Sequence, residues 1–62
     1  MNDFSIQTEE GTLIVREYRE DFRITISHEK NVMQLSLSLN EVILLRNNLN
    51  ELLEQYVQEN LA

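Results

Sequence analysis

Leu37-Ser38-Leu39-Asn40-Glu41-Val42 is the stretch on which the reading of the fold turns. Before it, from residue 3 to residue 39, apolar side chains recur at alternate positions. After it they recur at Val42, Leu45, Leu49, Leu52 and Tyr56, spaced three and four apart. The first period belongs to half-buried strands and the second to one face of a helix. Ser38 and Glu41 have the S-x-x-E spacing of a capping box, with Leu37 and Val42 at the positions of a hydrophobic staple. A single helix is predicted over about 38–60.

Working back from that junction, four strands are predicted over about 3–8, 12–19, 22–29 and 32–37. The last is the clearest, with Met33, Leu35 and Leu37 alternating with Gln34, Ser36 and Ser38. Gly11, the only glycine, is expected to supply a positive φ in the first turn. Glu20-Asp21 reads as a tight second turn. Glu29-Lys30-Asn31 reads as the third, with Asn31 tolerating the left-handed conformation. A register pairing Ile6 with Val15, Val15 with Ile26, and Ile26 with Leu35 gathers most aliphatic residues on one sheet face. It strands Glu17 on that face, at an open edge or beside a bulge in strand two. The expected fold is α+β: a four-stranded antiparallel meander with one long C-terminal helix packed on a sheet face, in a single domain over 1–62.

The helix carries more apolar surface than one sheet needs. At 100° per residue its apolar arc is roughly 180° wide, against about 100° for a helix resting on a core. Twenty-three residues span about 34 Å, whereas the strands span about 20–27 Å. The surplus and the overhang predict a homodimer through Ile43, Leu49, Leu53, Tyr56, Val57 and Leu61. The other reading of the overhang is a monomer whose last turns fray.

The totals favour assembly. The chain has 62 residues and no cysteine. A core this small is marginal alone, and small folds compensate with disulfides, metals or oligomerisation. The lack of cysteine removes disulfides and thiolate metal sites, and a lone His28 removes a histidine cluster. No metal or cofactor is expected. Met1-Asn2-Asp3-Phe4 lacks the basic-then-apolar order of a secretory leader, and no apolar run reaches the roughly 18 residues of a membrane span. A cytoplasmic protein that engages no membrane is expected.

Eleven acidic residues against five basic give a net charge of −6. That charge favours solubility or a basic partner and counts against nucleic acid. Glu9, Glu10, Glu20 and Asp21 on the turns, with Glu51 and Glu54 on the helix, are the candidate contacts to a larger protein. Paired carboxylates on turn tips have no cleft around them, so glycosidase chemistry is not indicated. The basic residues are more clustered: Arg16, Arg19 and Arg23 surround Tyr18 on strands two and three, a pattern that single-strand-binding sheets use. His28 has no acid or nucleophile at motif spacing and reads as structural. The order of four strands and a helix, joined by Ser36-Leu37-Ser38-Leu39-Asn40-Glu41, resembles the PC4-like single-strand-binding fold in element order, without a shared motif. The expected function is non-enzymatic: an acidic dimeric inhibitor or adaptor of the phage or mobile-element type that binds a larger protein, a basic nucleic-acid-binding site being one target of matching charge. The alternatives are a dimeric single-strand-binding module using Arg16, Tyr18, Arg19 and Arg23, or a structural dimerisation domain.

Overall fold

The computed structural model describes residues 2–61; Met1 and Ala62, included in the single-domain reading, lie outside the described residues. Its elements are β1 (Asp3–Gln7), β2 (Thr12–Tyr18), β3 (Asp21–His28), β4 (Asn31–Leu37) and α1 (Leu39–Asn60). The strands form one antiparallel sheet in the order β1-β2-β3-β4. The expected ββββα architecture is therefore the observed one.

The pairing differs from the expected register by two residues in every hairpin. Ile6 faces Leu13, Leu13 faces Ile26 and Val15 faces Ile24, and Ile26 faces Met33. A shift of two keeps every side chain on its own face, because the side-chain period of a strand is two. The apolar face thus holds Phe4 and Ile6, Leu13 and Val15, Phe22, Ile24 and Ile26, and Met33, Leu35 and Leu37. Glu17 stays on it, opposite Phe22 at the end of the sheet. Pairing runs unbroken from Thr12 to Tyr18, so strand two has no bulge.

The turns explain the shift. Tyr18 pairs with Asp21 and His28 with Asn31, which leaves two-residue loops, Arg19-Glu20 and Glu29-Lys30. Arg19 has φ 58° and Glu29 has φ 54°. Primed hairpin turns need a positive φ at the first loop position, because their twist matches that of the strands. Asn31, expected to take that role, is a strand residue instead.

Gly11 has no positive φ. Its role is proximity: a Cβ there would fall on the Ser27 carbonyl oxygen of β3. The first turn is organised by Thr8. Its hydroxyl accepts from the Glu10 and Gly11 amides at 3.1 Å each and donates to the Gly11 carbonyl at 3.0 Å. His28 Nδ1 meets the Glu10 carbonyl oxygen and fastens this turn to β3.

The helix starts as the sequence indicates. Ser38 is its N-cap, accepting from the Glu41 amide at 3.3 Å, while the Glu41 carboxylate accepts from the Ser38 amide at 2.9 Å. The bond from the Ser38 amide, and secondarily the Ser38 side chain, favour the ionised carboxylate and hold the Glu41 pKa below its ordinary value of 4.5.

The helix does not cover the sheet as expected. It approaches β3 and β4 through its first turn, where Val42 and Ile43 are half-buried, and every described residue after Ile43 is exposed. One residue, Ser38, separates β4 from α1, and the reciprocal cap fixes the direction in which the helix leaves. No described residue is fully buried.

Candidate functional site: an uncovered apolar face and an arginine–tyrosine cluster

A single chain leaves its apolar surface open. Its accessible surface is 5793 Å², whereas a compact 7.4 kDa protein exposes about 4,200 Å². The excess is about 1,600 Å² per chain. The radius of gyration is 14.0 Å, against about 11 Å for a compact domain of this length. Monomers seldom expose contiguous apolar patches beyond about 300–600 Å².

The open surface has two parts. On the sheet, Ile26, Met33 and Leu35 are 51%, 72% and 61% exposed, and they adjoin one another across β3 and β4. On the helix, Leu49, Leu53, Tyr56, Val57 and Leu61 are all exposed. These are five of the six residues assigned to a dimer interface from the sequence. The sixth, Ile43, is half-buried in the turn that leans on the sheet. The open sheet face was missed at the sequence level, because the chain's own helix was expected to close it.

The polar face of the sheet carries the basic cluster. Arg16 and Arg23 are cross-strand partners. The guanidinium carbons of Arg23 and Arg19 lie 4.6 Å and 5.4 Å from the centroid of the Tyr18 ring. At these distances the ring quadrupole attracts both cations. Arg16 turns instead to Asp3 on β1, at 3.6 Å. The four sequence-level candidates are thus brought together, with two of the arginines on the ring and one on a carboxylate.

The acidic candidates are dispersed within the chain. Glu9 and Glu10 lie on the β1–β2 turn, at the sheet end that also carries Glu29. Glu20 and Asp21 lie at the opposite end, beside the β4–α1 junction. Glu51 and Glu54 lie on the exposed helix. Among the described residues no group of three or more His, Cys, Asp or Glu side chains is placed to hold a metal ion, and no helix is long and apolar enough to cross a membrane. Comparison with protein-family models, with curated proteins and with solved structures gives no match.

Proposed function

We propose that the chain is a non-enzymatic, cytoplasmic interaction protein that works as a homodimer and uses its acidic outer surface to engage a basic region of a larger protein, as an inhibitor or adaptor. The observation that carries the dimer is the excess surface. Two chains each removing about 1,600 Å² bury about 3,200 Å² together, within the 2,000–5,000 Å² of obligate homodimers. The observation that carries the acidic contact is the charge. A dimer doubles the −6 of each chain to −12, and twofold symmetry presents Glu9, Glu10, Glu20, Asp21, Glu51 and Glu54 twice. A field of that sign speeds encounter with basic surfaces and repels polyanions.

Charge reversal tests the contact. The quadruple variant Glu9→Lys, Glu10→Lys, Glu20→Lys, Asp21→Lys should lose the proteins retained by the immobilised native chain, while its sedimentation still reports a dimer. Retention of the same proteins by the variant overturns the acidic contact.

A second reading rests on the Tyr18 cluster: an aromatic ring flanked by Arg19 and Arg23 is a platform on which an unpaired base can stack. Binding of a fluorescent oligothymidylate at low salt, weakening steeply as salt rises, would support it. The absence of any binding at low salt removes it.

A further inference from the structure

We infer that the apolar sheet face of one chain is covered by the helix of a second copy, so that the dimer is built by reciprocal exchange of α1. This rests on the homodimer reading and specifies its geometry. Three observations carry it.

The first is that neither surface has a partner among the described residues of its own chain. The helix leans on the sheet only through Val42 and Ile43, and the capping box at Ser38 and Glu41 fixes its departure. A sheet with one apolar face requires a covering layer.

The second is the match of dimensions. From Val42 to Val57 the apolar stripe runs about 23 Å at 1.5 Å per residue. Strands β3 and β4 have 8 and 7 residues, or about 23–26 Å at 3.3 Å per residue. The stripe therefore runs the length of the face it would cover. With two stripes seated on two faces, the exchange removes apolar surface at both parts of the excess. A contact between helices alone would leave Ile26, Met33 and Leu35 in water.

The third is charge. Glu17 is the one acidic side chain on the apolar face, at the sheet end next to the start of α1. Arg46 is the one basic side chain of the helix, in its second turn. A twofold axis close to the helix starts carries the partner's first turns to that end, where its Arg46 meets Glu17. The same axis carries the partner's later turns toward Ile26 and Met33.

The test is an isotope-filtered NOE experiment on the native sequence. A carbon-13-labelled chain and an unlabelled chain are unfolded, mixed in equal amounts and refolded, so that contacts between chains are seen alone. The expected result is a set of interchain contacts from the Leu49, Leu52 and Leu53 methyl groups to Ile26, Met33 and Leu35. Interchain contacts confined to helix against helix, or to sheet against sheet, overturn the exchange and leave the dimer standing. Helix-to-sheet contacts found only within one chain show a helix folded back on its own sheet, and they also overturn it. A sample that sediments as a monomer under the same conditions removes the dimer reading itself.

Discussion

Replacing Leu35 by alanine separates a covered sheet face from an open one. Leu35 is 61% exposed in the single chain and sits on the apolar face, opposite Ile24. Full burial of a leucine side chain is worth about 1.5–3 kcal/mol. The 61% still exposed then represents about 0.9–1.8 kcal/mol to be gained on assembly. A twofold dimer contains the residue twice, so truncation should cost about 1.8–3.7 kcal/mol of association free energy, neglecting the smaller share that the alanine retains. That corresponds to a dissociation constant raised about 20- to 500-fold. Val32 provides the control. It lies on the same strand, is 64% exposed and pairs with Ser27 on the opposite face. Val32→Ala should change the dissociation constant less than about fivefold, the range of ordinary surface substitutions counted once per chain. Sedimentation equilibrium over a dilution series measures both. Equal effects of the two substitutions, or no effect of Leu35→Ala, would show that the sheet face stays open in the assembly, because a face left in water cannot contribute to association.

Other substitutions address the local structure. Ser38→Ala removes the acceptor for the Glu41 amide and should lower unfolding stability by about 1 kcal/mol in a denaturant titration. Since the folded-state pKa of Glu41 is depressed, its contribution is fully present above the unfolded-state value and is lost as pH falls through the folded one. The native chain should therefore lose stability on acidification, and Glu41→Gln should lose less over the same interval. Glu29→Asn puts a residue that tolerates the left-handed region at φ 54° and should stabilise by about 0.5–1 kcal/mol. Gly11→Ala drives a methyl group onto the Ser27 carbonyl and should destabilise by about 1–3 kcal/mol, read as a lower thermal midpoint.

The strands and the helix start were legible because each rests on a local pattern. Alternation of apolar residues from Phe4 to Leu37 marks the strands, and Ser38 with Glu41 marks the cap. Alternation determines which face a residue takes, but it is unchanged when a hairpin slips by two. The offset is set by the loops, and there the decisive residues are Arg19 and Glu29, whose side chains give no sign of a positive φ. Gly11 was legible as a special position, although for the wrong reason: the close approach of Ser27 comes from another strand and has no local signal. The Tyr18 cluster was legible because residues 16, 18 and 23 share a face in any register of that parity. The width of the apolar arc on α1 indicated that the helix lacks a full set of partners. It could not indicate that the helix leaves its own sheet uncovered, since that depends on the direction of the chain through Ser38.

Sedimentation equilibrium of the unmodified chain at micromolar concentration decides whether two chains form the working unit. The expected species has twice the 7.4 kDa chain mass and is held more tightly as added salt screens the repulsion between two chains of charge −6. A folded species of 7.4 kDa that persists to high micromolar concentration would contradict it.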